Sequence, residues 1–292
     1  LETLDFTFRF PSAAQGRVRM DEFAWAGPRH LFFESRRDNI VGFPETLEAE
    51  ERLQFLLSKA GQKAYEKVLL KAIAEDTWRF FTQARDRETH LIVDHLRVGR
   101  YPLVADYTSI TNIALDLLAH VAAYDLGFID RKQAAESMKK TLETLEKLER
   151  WKGFFYNFYH THSLKVTRRF VSTVDSGWLA IALEIAGTAF PEELKEPAQK
   201  LLKDFDFNEL LDPENNQLVI GYDAEKEDYT STHYGLLATE ARATSFYGIA
   251  RGDLPREHWW FIFRTPPASW KWQNQQPEGH YEIGRASCRE RV

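Results

Sequence analysis

The helices predicted from this sequence come in pairs, in which a mostly apolar helix is followed by a strongly charged one. Residues 108–126 are largely apolar, and residues 131–151 after them alternate charges with leucines. The same order recurs at 174–189 and 191–205. An inner ring of apolar helices inside an outer ring of amphipathic ones produces this alternation, as would a helical bundle or an α-solenoid. No repeat of fixed period is present, which argues against the solenoid.

Apolar residues at helical spacing predict further helices along the chain. They cover residues 46–59, 62–84, 233–251 and 255–263. Residues 1–45 differ, because Phe6, Phe8 and Phe10 alternate with polar residues like a short strand, and glycines and prolines follow. We therefore predict an irregular N-terminal arm, or the end of an upstream domain, over 1–45 and a mainly α domain over 46–281.

The last eleven residues, 282–292, resemble the translated sequence of a common sequencing adapter. We expect this tail to be an artefact that packs on nothing, and we expect the natural polypeptide to continue past Tyr281. The tail is excluded from the fold prediction. It contains Cys288, the single cysteine of the chain, so the sequence predicts no disulfide framework and no cysteine-based metal site.

Composition narrows the class of partner. The chain has 292 residues, of which 43% are hydrophobic, so a sizeable core is available. The net charge of −6 and the lack of a basic block give no reason to expect nucleic acid. No apolar run approaches the roughly 18 residues that a membrane-spanning helix requires. Aromatic residues reach 14%, which suits stacking on sugar rings but also suits a large core.

Asp175 is the first of two acidic residues where a helix is normally apolar or capped. It stands three residues after Ser172, so the two can form a capping box, in which the serine caps the helix and the acid reaches back. Alternatively, the positive end of the helix dipole stabilises an ionised Asp175 that acts as a general base or positions a water molecule. The residues alone leave both interpretations open.

Glu240 is the second acidic residue. Helical spacing between Leu237 and Thr244 predicts that its carboxylate lies in the middle of an inward-facing stripe. Burying a carboxylate alone is costly, so it must be paired, hydrogen-bonded or catalytic. A buried ion pair with Arg242, Arg251 or an arginine elsewhere in the chain is one interpretation, and general acid catalysis in an apolar setting is the other. Two carboxylates that face one cleft are what acid/base hydrolysis of a sugar linkage requires.

Other catalytic chemistries lack their sequence patterns. His160 and His162 are two residues apart and His233 stands before a predicted helix, but no Cys or His-x-x-x-His pattern completes a metal site. Gly235 and Gly252 stand alone, so no phosphate-binding glycine loop is present. A Gly-x-Ser-x-Gly nucleophile motif is also missing. The sequence therefore predicts neither a metal nor a cofactor.

Five segments in order resemble the glycoamylase-like domain of bacteria. They are Thr108–Leu115 with Ala123–Ile129, Gly153–Tyr159, Phe170–Gly177, His233–Arg242 and Ile249–Trp259. The same domain type occurs in cyclic β-1,2-glucan synthases and, more distantly, in the endo-β-1,2-glucanases of glycoside hydrolase family 144. The resemblance extends from about residue 62 to 281.

The resemblance implies an (α/α)6 barrel, or toroid, that is truncated at its C-terminal end and acts on a β-glucan, with β-1,2 linkage expected. It places Asp175 and Glu240 at the two carboxylate positions of the domain type. That domain type continues beyond residues 265–281, whereas residues 1–45 have no recognised counterpart. The resemblance also favours a periplasmic or extracellular location, although the chain shows no signal peptide.

The sequence thus predicts a glycoside hydrolase in which Glu240 donates a proton, directly or through water, and Asp175 activates the attacking water. The expected partner is an oligo- or polysaccharide. The side chains predicted to bind it are aromatic residues and histidines from the predicted loops and helix starts. They are Tyr156, Tyr159, His160, Trp178, His233, Tyr234 and Trp272.

Two other functions remain open at this point. The first is a carbohydrate-binding or processing module of a larger glucan synthase, which would bind sugar without cleaving it. The second is a polysaccharide lyase on the same toroid, which would use Tyr234 and His233 as base and acid on uronates. Reducing ends without unsaturation would indicate hydrolysis, and unsaturated ends would indicate a lyase.

Overall fold

The computed structural model describes residues 59–97, 103–237 and 239–263. Within them the chain forms two compact units, one with residues 59–80 and one with the remaining described residues. Helix α1 (Lys59–Gln83) begins in the first unit and ends in the second. The predicted arm, the residue Trp272 and the predicted artefact tail lie outside the described residues.

The predicted helix pairs are confirmed, with shifted ends. The helices of the second unit are α2 (Ile110–Asp125), α3 (Arg131–Leu145), α4 (Thr173–Ala189), α5 (Pro191–Leu202), α6 (Ala241–Arg251) and the short α7 (His258–Phe261). In the part of the chain that the structure describes, no helix has the length and apolar character needed to span a membrane.

The packing of these helices explains the alternation in the sequence. Helix α4 packs against α2 on one side and α6 on the other, while α3 and α5 pack against each other and cover α2 and α4. The inner helix α4 is buried on most faces, whereas the outer helix α5 buries only one stripe, which includes Leu194, Ala198 and Leu201. Each fully buried leucine contributes about 1.5–3 kcal/mol to folding.

Local signals set the ends of several helices. Asp130 caps α3, since its carboxylate accepts from the backbone N–H of Gln133 while the Gln133 side chain accepts from the backbone N–H of Asp130. Gly127 ends the preceding helix, because its φ of 74° is a left-handed conformation that glycine adopts at little cost. Pro191 is the first residue of α5, where its missing N–H leaves no hydrogen bond unmade.

The segments predicted as loops, 152–173 and 206–232, contain short strands instead. Four strands lie outside these segments: β1 (Leu96–Arg97), β2 (Leu103–Val104), β3 (Tyr107–Ser109) and β4 (Arg150–Trp151). The strands within them are β5 (Phe154–Phe155), β6 (Phe158–His160), β7 (Val166–Arg168), β8 (Phe170–Ser172), β9 (Leu211–Asp212), β10 (Gln217–Leu218), β11 (Gly221–Asp223) and β12 (Asp228–Tyr229). Strands β1 and β2, β4 and β5, and β9 and β10 pair antiparallel, and two three-stranded sheets have the orders β3-β6-β7 and β8-β11-β12.

Both three-stranded sheets lie where inner helices begin. Strand β3 ends at Ser109 and α2 starts at the next residue, while β8 ends at Ser172 and α4 starts at the next residue. In the first sheet Tyr107 pairs with His160, and in the second Ser172 pairs with Gly221. The sheets therefore position side chains around the N-terminal ends of α2 and α4.

The prediction of a helix over residues 233–251 is wrong in its first half. His233 forms a β-bridge with Val219, and Leu236 forms one with Phe263, so the segment before Ala241 belongs to strand-like pairing. The predicted helix 131–151 is shorter than expected, because it ends as α3 at Leu145 and is followed by the separate strand β4. The predicted helix 255–263 is also shorter, since only α7 forms there.

The acidic side chain that lies inside the helical layer is Asp116 of α2. Its side chain is 1% exposed and both of its carboxylate oxygens accept from the guanidinium of Arg85, which also donates to Ser137 at 2.8 Å. Burial raises the pKa of Asp116, and the Arg85 charge opposes that rise. The ring of His120 lies 2.7 Å from the Asp116 carbonyl. These contacts give Asp116 a structural role.

Candidate active site

The inner helices α2, α4 and α6 begin at the same end of the second unit. The Thr111 hydroxyl in the first turn of α2 donates a hydrogen bond to Asp175 in the first turn of α4. Gly177 of α4 in turn lies directly against Thr244 in the first turn of α6. Because the positive ends of three helix dipoles converge there, the site favours negatively charged groups.

Asp175 is half-buried and is held from the neighbouring helix. Its Oδ1 accepts from Thr111, and Oδ2 forms no hydrogen bond within the described residues. The alternative interpretation of a capping box is wrong, since Ser172 occupies the N-cap position of α4 but makes no capping hydrogen bond. The carboxylate is thus oriented by a tertiary contact and not by its own helix.

Glu240 lies at the start of α6 and not in the middle of a helix. It occupies the N-cap position, its side chain is exposed, and it makes no capping hydrogen bond. The predicted buried ion pair is also wrong. Arg251 instead contacts Asp253 at 3.2 Å and donates to the carbonyl of Phe205 at 2.8 Å, and Glu240 forms no ion pair with any described residue. Its carboxylate is therefore available to solvent or to a ligand.

The phenol of Tyr234 is affected by the charges of both acidic residues. Burial raises the pKa of its half-buried phenol, the negative charges of Asp175 and Glu240 raise it further, and the Ser172 hydroxyl opposes the rise. Both carboxylates therefore act on the same phenol, which stays protonated at neutral pH and can donate a hydrogen bond. Of the predicted site residues, Asp175 and Glu240 are thus both close enough to Tyr234 for their charges to act on its phenol.

His233 has different surroundings from its neighbour Tyr234. Its Nε2 lies 2.7 Å from a carboxylate oxygen of Asp212. The side chain of Asn215 and the backbone N–H of Glu214 also donate hydrogen bonds to Asp212. Together with the contact to His233, these hydrogen bonds lower the pKa of Asp212 to about 2. His233 is thus engaged with the β9–β10 hairpin, which removes the support for a base and acid pair of Tyr234 and His233.

The tyrosines predicted from the aromatic segment lie in the core. Tyr159 has no exposed surface, and its hydroxyl donates to the carbonyl of Glu149 at 2.6 Å and accepts from the backbone N–H of Tyr156 at 2.7 Å. Burial raises the pKa of Tyr159. Tyr156 is 3% exposed and its hydroxyl accepts from Arg169. Both side chains have structural partners, so we exclude them from the proposed sugar contacts.

The other predicted sugar contacts are partly accessible or undescribed. His160 on β6 is half-buried, and its Nδ1 lies 3.9 Å from a carboxylate oxygen of Asp106. Trp178 follows Gly177 on α4 and packs partly against the hydrophobic core. Trp272 lies outside the described residues. Among the residues described, no group of three or more His, Cys, Asp or Glu side chains could hold a metal ion.

Two polar residues beside the site, Asn112 and Asp94, were not predicted from the sequence. Asn112 in the first turn of α2 donates through Nδ2 to Asp94 at 2.7 Å, and its backbone N–H donates to the Ser109 hydroxyl at 3.1 Å. The sequence pattern that could have predicted Asn112 is its spacing from a serine: Ser109 precedes Asn112 by three residues, just as Ser172 precedes Asp175 by three residues. The same position in two successive inner helices thus carries a polar side chain at the site.

Comparison with solved structures shows the fold. A β-1,2-glucanase from Parabacteroides distasonis superposes with a TM-score of 0.58 at 16% sequence identity, over 68% of this chain and 30% of that one. A protein from Bacteroides uniformis, provisionally classed as a glucoamylase, has a TM-score of 0.58 at 13% identity, over 72% of this chain and 54% of that one. The chain shares the helix-rich fold of these proteins.

A curated relative gives the same family context. The cyclic beta-(1,2)-glucan synthase NdvB of Rhizobium meliloti is 22% identical over 67% of this chain. The chain spans only 12% of the length of that synthase. A protein-family profile, described as a protein of unknown function (DUF3131), matches residues 72–250. Since this match includes more than half of the residues, the chain belongs to the DUF3131 family.

Proposed function

We propose that this chain is the sugar-cleaving domain of a glycoside hydrolase that acts on a β-glucan with β-1,2 linkages, built on an incomplete (α/α)6 barrel. The observations that carry the proposal are that Asp175 in the first turn of α4 is held by Thr111, that Glu240 is exposed at the start of α6, and that the charges of both act on Tyr234. Hydrolysis of a glycosidic bond requires two carboxyl groups that share one cleft, and we propose Asp175 and Glu240 as that pair.

The chemistry assigns one role to each group. Asp175 is held through Oδ1 by Thr111, so Oδ2 is free to take a proton from the attacking water. The water oxygen then bonds to the anomeric carbon as the glycosidic bond breaks. Glu240 gives its proton, directly or through a water molecule, to the departing sugar oxygen. Tyr234, which stays protonated, donates a hydrogen bond to a sugar hydroxyl.

The names of similar proteins support the substrate class. The Parabacteroides protein is a β-1,2-glucanase, and the Rhizobium relative is a cyclic beta-(1,2)-glucan synthase. Both names specify the same linkage, although the chain spans only part of each protein. We therefore place β-1,2-glucan before other glucans as the substrate.

The test is a linkage screen with product analysis. The protein is incubated with β-1,2-, β-1,3- and α-1,4-glucans, and new reducing ends and unsaturated ends are measured separately. We expect reducing ends from β-1,2-glucan without unsaturation. Reducing ends from another glucan alone would refute the proposed linkage. Polygalacturonate is included as a uronate polymer, and unsaturated ends released from it would refute hydrolysis.

A second candidate function is supported by the position of Glu240. A general acid works best in an apolar setting, whereas the side chain of Glu240 is exposed. This exposure favours a carbohydrate-binding or processing module within a larger glucan synthase. Such a module would bind β-1,2-glucan in the same screen and release no products.

A further inference from the structure

A strip of half-buried aromatic side chains crosses the strands that lead into α2 and α4. We propose that this aromatic strip, defined as Tyr107, Phe158 and Phe170, is the platform on which a neutral glucan chain stacks beside Asp175. The inference rests on the proposed function and extends it, since it assigns sugar-binding residues outside those predicted from the sequence.

Strand alternation sets the direction of the first two rings. Tyr107 and Phe158 lie on β3 and β6, whose paired residues Thr108 and Tyr159 are both fully buried. Because neighbouring residues of a strand point to opposite faces, Tyr107 and Phe158 lie on the face away from the core. Their ring centres are 5.8 Å apart at an angle of 75°, an edge-to-face contact that fixes both rings.

Phe170 continues the strip on the second sheet. The backbone N–H of Asn157 donates to the carbonyl of Phe170 at 2.7 Å, so the residue before Phe158 is joined to Phe170. Phe158 pairs with Arg168, whose guanidinium lies 4.8 Å from the ring centre of Phe170. Arg168 thus links the two sheets, since it pairs with Phe158 between β7 and β6 and its guanidinium covers one face of the Phe170 ring.

At both ends of the strip, neighbouring residues lead to the candidate active site. Val171 is fully buried, so Phe170 and Ser172 share the opposite face of β8, and the Ser172 hydroxyl lies near Tyr234. At the other end, the ring of His95 lies 6.0 Å from that of Tyr107. The residue before it, Asp94, accepts from Asn112 in the first turn of α2.

The composition of the strip fits a sugar better than an apolar peptide. A pyranose ring has an apolar C–H face edged by hydroxyl groups, so it needs a flat ring with hydrogen-bonding groups at the border. His95, His160 and Arg168 supply that border. Arg168 forms no ion pair within the described part of the chain, so its N–H groups can donate to neighbouring sugar hydroxyls.

The test measures the affinity of the full 292-residue chain for a β-1,2-linked gluco-oligosaccharide by isothermal titration calorimetry. The variants Phe170→Ala and Tyr107→Ala should each weaken binding about tenfold, the loss typical of a residue that dominates an interface. Phe170→Leu keeps apolar volume but removes the aromatic ring, so it should also weaken binding even if the alanine variant folds poorly. Phe246→Ala is the matched control, because Phe246 is an aromatic residue on α6 that is 65% exposed and lies outside the strip.

The outcomes separate this inference from the proposed function. Weaker binding for the strip variants with unchanged binding for Phe246→Ala would support the platform. Wild-type affinity in Phe170→Ala, Phe170→Leu and Tyr107→Ala would overturn it, while glucan hydrolysis by the same variants would leave the proposed function intact. Tight binding of polygalacturonate without glucan binding would overturn both.

Discussion

The contact between Gly177 of α4 and Thr244 of α6 gives the most specific prediction for stability. A Cβ atom on Gly177 would lie 2.7 Å from the Cβ and Cγ2 atoms of Thr244 and closer still to its hydroxyl oxygen. Real Cβ atoms essentially never approach neighbours within 3.0 Å. The substitution Gly177→Ala must therefore push α6 away from α4.

The magnitude follows from two opposing effects. Overpacking a well-packed contact costs about 1–3 kcal/mol. Alanine in place of glycine inside a helix returns about 0.5–1 kcal/mol, because alanine loses less backbone entropy. We therefore expect the free energy of unfolding of Gly177→Ala to fall by about 1 kcal/mol, within a range of about 0–2.5 kcal/mol. Glucan hydrolysis should weaken as well, because the shift would move Glu240 on α6 relative to Asp175 on α4.

The same helix provides a matched control. Gly187 is also buried on α4, but a Cβ added there would meet its nearest neighbours at 3.4 Å, which is ordinary contact. Gly187→Ala should leave stability unchanged or raise it by up to about 1 kcal/mol. Urea denaturation of both variants decides the point, and equal stabilities would refute the close packing. In the Thr244→Ala background Gly177→Ala should cost less, because two of the three contacting atoms are gone.

Three further predictions concern stability. Arg85→Met should lower the free energy of unfolding, measured by urea denaturation, by about 3–5 kcal/mol, because Asp116 stays buried without its cation, and the loss should grow as the pH rises. The control Arg169→Met removes an exposed ion pair and should change stability little. Equal effects of the two variants would contradict the buried pair. Tyr159→Phe should cost about 1–3 kcal/mol, because two buried backbone groups lose their partner, and an unchanged melting temperature would oppose this. The pKa of Asp212 is lowered from 3.8 to about 2, so its ionised form stabilises the fold above pH 4 and this contribution is lost as the pH falls to 2. Asp212→Asn should therefore be less stable than wild type at pH 5 and similar to it at pH 2, and a constant difference would contradict the assignment.

The helix pairs could be predicted from sequence because each helix repeats its apolar pattern over several turns. Helices α4 and α5 begin within one residue of the predicted positions. Strands of two or three residues have no such repetition, so the pattern could not distinguish them from loops. Their existence depends on pairing with residues distant in sequence, as Ser172 does with Gly221.

The same limitation explains the errors at the site. Leu236 and Leu237 continue the helical spacing upstream of α6, but the bridge between Leu236 and Phe263 fixes this segment in an extended form. Glu240 therefore lies at a helix start and is exposed. In the aromatic segment, Tyr159 and Phe158 look equivalent in sequence, and only the alternation along β6 buries Tyr159 fully and leaves Phe158 half-buried.

The most direct test of the central claim is hydrolysis of β-1,2-glucan by the full-length natural protein and by its Glu240→Gln and Asp175→Asn variants, with melting temperatures measured on the same samples. Loss of general acid or base catalysis should lower turnover by about a hundredfold or more. Glu240 is exposed and unpaired within the described residues, so its variant should melt with the wild type. Full activity in either variant, or activity lost only in proportion to a lowered melting temperature, would contradict the account.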